Sequence, residues 1–150
     1  MVVFISYFYQ IRFFTPNMIP ISTATWDPKW YSEGAPYVDK RGVTIGYRMP
    51  VFNIPSYRWE KLERKGLQCQ KNCTQEIPCE FMKEYKEYLD SLDFDEIMAS
   101  LEVFGKQLEI QDPVFVLMVH EPKTCRCAER PVLQQWFREH GVELKEWERP

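Results

Sequence analysis

The chain has 150 residues, enough for one domain with its own hydrophobic core. A hydrophobic content of 45% and a charged content of 27% exclude wholesale disorder. A net charge of −3, with no run of basic residues, disfavours nucleic acid as the main partner. No stretch is long and apolar enough to span a bilayer, so no membrane partner is expected. The apolar start, Met1 to Phe14, is broken by Gln10 and Arg12. It lacks a basic run and a small-residue cleavage site, so no secretory leader is expected and the localisation reads as cytoplasmic.

Val2–Phe8 reads as a first strand, β-branched and aromatic without charge. Ile19–Thr23 reads as a second, approached through Pro16 and Pro20. The stretch from Thr25 to Pro55 is punctuated by Pro and Gly and reads as a long irregular excursion, with Val43–Tyr47 a short strand inside it. Tyr57–Lys65 fits a charged helix ending at Gly66, and Pro78 suits the first turn of another. Phe81, Tyr85, Tyr88, Leu89 and Leu92 form the apolar face of that second helix. Asp93 with Glu96 resembles a capping box, and Ile97, Leu101, Phe104 and Leu108 continue as the face of a third helix, with its end marked by Gly105 and Asp112-Pro113. Val114–Val119, six apolar residues in succession, predicts a central strand buried on both faces. Val132, Leu133, Trp136 and Phe137 predict a helix from about Ala128–Pro131 to His140–Gly141, and Val142–Trp147 a last edge strand. The whole, residues 1–150, reads as a single α/β domain: a mostly parallel sheet flanked by helices, with a long irregular loop excursion. The strand–helix–strand unit Val114–Trp147 is expected to give a parallel pair.

Ligands of open parallel sheets sit beyond the carboxyl ends of the strands. Three such ends carry polar clusters: Ser6, Tyr7 and Arg12; Ser22 and Trp26; and Glu121, Cys127, Glu129 and Arg130. These nine residues are the expected ligand-binding set. The third cluster opens a helix, whose unsatisfied N–H groups favour an anion, with Arg130 adding a fork of donors. Between the adjacent His120 and Glu121, Glu121 is the preferred ligand contact, since neighbours on a strand point to opposite sides. Five cysteines stand at Cys69, Cys73, Cys79, Cys125 and Cys127. An odd number without a leader argues for reduced thiols. A zinc site built from Cys69, Cys73, Cys79 and Cys125 is the alternative, on spacing unlike the usual pairs, and no other cofactor is implied.

The third cluster also carries a resemblance. Val114–Val119, His120-Glu121-Pro122, Cys127-Ala128-Glu129-Arg130 and Val132-Leu133-Gln134-Gln135-Trp136-Phe137, continuing through Gly141 and Glu146, resemble the family called domain of unknown function 488, in particular its short phage and bacterial members. Ser6-Tyr7-Phe8, Ile11-Arg12, Pro20-Ile21-Ser22 and the run from Trp26 to Tyr31 agree with it, so the resemblance covers roughly 1–31 and 78–147. It implies an α/β domain with no established reaction, grouped loosely with nucleotide-handling and phage-conflict proteins. Many members carry Cys-His-Arg at the turn; here Glu129 stands where the His would be, which weakens an enzyme reading.

Three readings follow. The first is a module binding a small, anionic, nucleotide-like ligand, with a phage protein of this kind sequestering a host signal. The second is an enzyme acting on a nucleoside or nucleotide through Glu121 or Glu129 with Arg130. The third is a protein-interaction module using the aromatic loop 25–59. Binding is favoured, since no complete catalytic constellation is legible. A small anionic ligand is the expected partner, with a second copy of the chain as a further one.

Overall fold

A computed structural model describes residues 1–24, 27–31, 35–39, 42–64, 80–120 and 128–150. Within them lie strands β1 (Val2–Tyr7), β2 (Met18–Ser22), β3 (Ala35–Asp39), β4 (Gly42–Arg48), β5 (Val114–Val119) and β6 (Lys145–Glu146), and helices α1 (Ser56–Arg64), α2 (Glu80–Asp90), α3 (Phe94–Gln107) and α4 (Glu129–Glu139). The sheet order is β3-β4-β2-β5-β1-β6. Every neighbouring pair is parallel except the antiparallel β3–β4. The α/β class expected from the sequence is therefore the one observed.

β5 is central for the reason its composition gives. It has β2 on one side and β1 on the other, and Phe115 to Val119 are all buried. Alternate side chains feed two cores. Phe115, Leu117 and Val119 join Val3, Ile5, Ile19 and Ile21 beneath α2, α3 and α4. Val116 and Met118 join Phe8, Ile11, Phe14, Met18 and Tyr31 on the other face. That second face is covered by the 3₁₀ turn Phe8–Phe13 and by aromatic side chains, not by an α-helix, among the described residues. Much of the aromatic content serves here: Phe8 meets Tyr31 edge-on at 5.1 Å and Phe14 meets Trp147 at 4.9 Å.

Four details depart from the sequence expectations. The excursion after β2 holds a hairpin, β3–β4, and β4 joins the main sheet beside β2. β6 pairs with β1, so the β5–α4–β6 unit crosses over β1 and does not close a direct pair. Gly105 lies inside α3 and does not end it; a Cβ there would stand 2.8 Å from Phe115 Cζ, so glycine lets the helix approach the central strand. Pro20 sits in a strand flanked on both sides, where its missing N–H would break a ladder. The ladder to β4 begins only at Ile21, and the Pro20 carbonyl accepts from the Tyr31 hydroxyl at 3.1 Å.

The helix signals hold where they were strongest. Asp93 caps α3, its carboxylate accepting from the Glu96 N–H at 3.1 Å. α4 buries Val132, Leu133, Trp136 and Phe137, and Gly141 follows at φ 80°, the left-handed conformation that closes a helix. The expected helix limits at Gly66 and Pro78 lie outside the described residues.

Candidate site at the carboxyl edge of the sheet

Parallel pairing brings the three expected strand ends together. Ser6 of β1 and Ser22 of β2 are both in register with Met118 of β5, and Ser22 is also in register with Arg48 of β4. Tyr7 is in register with Val119. This row is the carboxyl edge, and the first turn of α4 reaches β6 beside it through Arg130 and Glu146.

The row divides by face. Ser6 and Ser22 lie on the side of Met118, away from the helices, and both are fully buried at 0% exposure. Each hydroxyl has an internal use. Ser6 Oγ donates to the Trp147 carbonyl at 2.8 Å, holding the tail after β6. Ser22 Oγ donates to the Asp27 carboxylate and accepts from the Ala24 N–H at 3.3 Å. The two serines expected to meet a ligand therefore serve the fold.

Around Ser22 the structure builds a polar network that sequence reading missed. Asp27 also receives Arg48 Nη1 at 2.9 Å. Arg48 Nη2 donates to the Ala24 carbonyl at 2.6 Å. Asn53, with its amide nitrogen towards the backbone, donates to the Thr23 carbonyl at 2.9 Å and accepts from Arg48 Nη2 at 2.6 Å. Thr23 Oγ1 closes the network onto the Met118 carbonyl at 3.0 Å. Every member has a use, so the end of β2 and β4 is a lock. The available signal was a single Arg at the end of an apolar strand.

The α4 side is different. Arg130, in the first turn of α4, is only 3% exposed. Its Nε donates to Glu146 Oε2 at 2.7 Å, across to β6. Nη1 and Nη2 are buried and have no hydrogen-bond partner among the described residues. A guanidinium carries five N–H donors, and burying them unused costs roughly 1–3 kcal/mol per orphaned group. The N-cap of α4 is Ala128, which has no side chain to cap the first turn. Pro131 contributes no N–H, so the donors of that turn are the amides just before it. Glu146, sixteen residues beyond Arg130 on another element, was not foreseen as its partner.

Glu129 is half-buried in the same turn. Nearby on α2, the buried Tyr85 donates to the Phe52 carbonyl at 2.6 Å. Burial, then the charge of Glu129 and the neighbouring Tyr88, pushes the Tyr85 hydroxyl well above its ordinary pKa.

Tyr7 packs against the helix-side core, on the Arg130 face. Arg12 is on the surface, its guanidinium 3.8 Å from the Tyr9 ring centroid. Trp26, Glu121 and Cys127, and the zinc candidates Cys69, Cys73, Cys79 and Cys125, lie outside the described residues. Among the described residues no group of three or more His, Cys, Asp or Glu is placed to hold a metal, and no helix is long and apolar enough to cross a membrane. Of the nine expected ligand contacts, Glu129 and Arg130 share the first turn of α4, and Tyr7 ends β1 on the helix side of the sheet.

Compared with known proteins, the chain matches no family model, no curated protein and no solved structure.

Proposed function

We propose that the chain is a binding module that holds the anionic group of a small molecule against Arg130 and the N-terminus of α4. The observation that carries this reading is the buried Arg130 fork, fixed through Nε by Glu146 and left with two nitrogens unused among the described residues. Such a geometry suits an acceptor pair, the two oxygens of a phosphate or carboxylate. The first-turn amides of α4 add donors and partial positive charge at the same place. Glu146 balances the guanidinium charge, so affinity comes from aligned donors in a dry site more than from net charge.

The test is calorimetric titration of the whole chain with inorganic phosphate and with acetate, beside the variant Arg130→Gln. The reading expects saturable binding of at least one anion, weakened tenfold or more in the variant. Equal affinity in both proteins, or no binding to the parent chain, overturns it.

A further inference from the structure

A second feature, an exposed aromatic ladder, stands at the same end of β1. Tyr9 is 51% exposed. Its ring is nearly parallel to that of Tyr7, with centroids 6.4 Å apart and 17° between planes. Arg12 lies over the Tyr9 ring and its Nε donates to the Tyr9 carbonyl at 3.1 Å. Phe13 meets Tyr9 edge-on at 5.9 Å, and the Arg149 guanidinium sits 4.6 Å from the Phe13 centroid. No carboxylate pairs with Arg12 or Arg149 among the described residues. The buried Gln10 fixes the start of this ladder, Nε2 donating to Tyr7 Oη at 3.1 Å. Single exposed aromatics are ordinary on a surface. Here a half-exposed stack has two guanidiniums beside it, neither paired with a carboxylate among the described residues, which makes a flat, cationic surface.

Strand geometry connects this ladder to the anion site. Glu146, which holds Arg130, is in register with Ile5 of β1. Tyr7 is two residues beyond Ile5 and packs against the same helix-side core. At about 3.3 Å rise per residue, Tyr7 stands about 7 Å farther along that face, towards the carboxyl edge. Tyr7 thus stands one strand over from Glu146 and nearer the carboxyl edge, on the helix side of the sheet.

We infer that Tyr7, Tyr9 and Arg12 form the ring-binding half of the same site, and that the ligand class is a nucleoside phosphate. This rests on the anion reading of Arg130. A sugar phosphate or a small carboxylate would use the fork and leave the ladder idle; a nucleotide carries both an anion and a π-face. Stacking on Tyr and Arg tolerates any base, so little discrimination among the four bases follows.

The experiment is calorimetric titration of the whole chain with ribose 5-phosphate and with each of four nucleoside monophosphates, repeated for Tyr9→Ala and Tyr9→Trp. Tyr9 is exposed, so neither change threatens the core. The monophosphates are expected to bind about tenfold more tightly than ribose 5-phosphate. Tyr9→Ala is expected to remove that advantage without changing the affinity for ribose 5-phosphate, and Tyr9→Trp to keep it. Equal affinities for sugar phosphate and nucleotides in the parent chain, or an advantage that survives Tyr9→Ala, overturns the ligand class while leaving the anion site standing. Absence of binding by every phosphate overturns both.

Discussion

Arg48 and Arg130 sit at the same edge of one sheet and are used in opposite ways. Arg48 ends β4 with Nη1 on Asp27 and Nη2 on the Ala24 carbonyl and Asn53. Arg130 begins α4 with only Nε satisfied, and its fork is buried without a partner among the described residues. A half-buried cation with both terminal nitrogens bonded ties strands together. One whose donors are half taken holds free energy that a ligand can release. The difference teaches where to look: a polar cluster at a strand end becomes a candidate site through what it leaves unmade, not through its polarity.

The largest expected effect tests that contrast directly. Arg48→Leu leaves Asp27 without its cation in a largely buried network and is expected to cost about 3 kcal/mol in urea denaturation. Arg130→Leu also strips a largely buried carboxylate, Glu146, of its cation, but it removes two orphaned donors at the same time, so its net cost is expected to be smaller, about 2 kcal/mol. Equal costs would break the comparison, because Arg130 would then be as fully engaged as Arg48.

Next in size is Gly46→Ala. Gly46 lies under Tyr31, whose hydroxyl bonds the Pro20 and Tyr47 carbonyls, and a Cβ there would overlap the Tyr31 ring. The ring is buried, so displacing it is expected to cost about 2 kcal/mol in a thermal or urea transition. Because this lesion falls on the locked side, phosphate affinity measured at low temperature should stay within twofold. A joint loss of stability and affinity would show that the two ends are mechanically one.

Ser6→Ala and Ser22→Ala sharpen the contrast further. Ser6→Ala removes one internal hydrogen bond and Ser22→Ala two, so they are expected to cost about 1 and about 2 kcal/mol with phosphate affinity unchanged. A tenfold loss of affinity in either would return that serine to the ligand site.

How far this was legible in the sequence depends on whether the information was local. The six apolar residues of β5 could only be a doubly covered strand, and Asp93 with Glu96 encodes a cap within four residues. The position of Arg130 at a helix start followed from the 3.6-residue period behind it. Other features depended on what lies far along the chain. Gly105 reads locally as a helix end, yet its role is set by Phe115. A two-residue β6 carries no periodicity, so nothing local tells that it joins β1 past β5. Ser6 and Ser22 follow apolar strands just as ligand contacts do; only the positions of Trp147 and Asp27 assign them to the fold. Arg130 was legible as a donor, but its Glu146 clamp was not.

The smallest effect concerns the neighbourhood of Arg130 and appears only in alkali. The Tyr85 hydroxyl is held well above its ordinary pKa of 10.0, first by burial and then by Glu129 and Tyr88. Its folded-state value exceeds its unfolded one, so the fold favours the neutral phenol. The stability this gives is fully present below the unfolded value and is lost as pH rises above it. Ionisation of Tyr85 in the unfolded chain is expected to cost about 0.8 kcal/mol of stability at about pH 10.5, and almost nothing at neutral pH. Tyr85→Phe lacks this loss but gives up the bond to the Phe52 carbonyl, so it starts about 1 kcal/mol less stable at pH 7. The gap between the two proteins, followed by urea denaturation against pH, should therefore narrow in alkali. Glu129→Gln should leave the direction unchanged, since burial is the larger cause. A gap that stays constant would mean that Tyr85 ionises inside the fold. Water would then reach the Tyr85 hydroxyl beside Glu129, and the α2–α4 contact would be wetter than its burial shows.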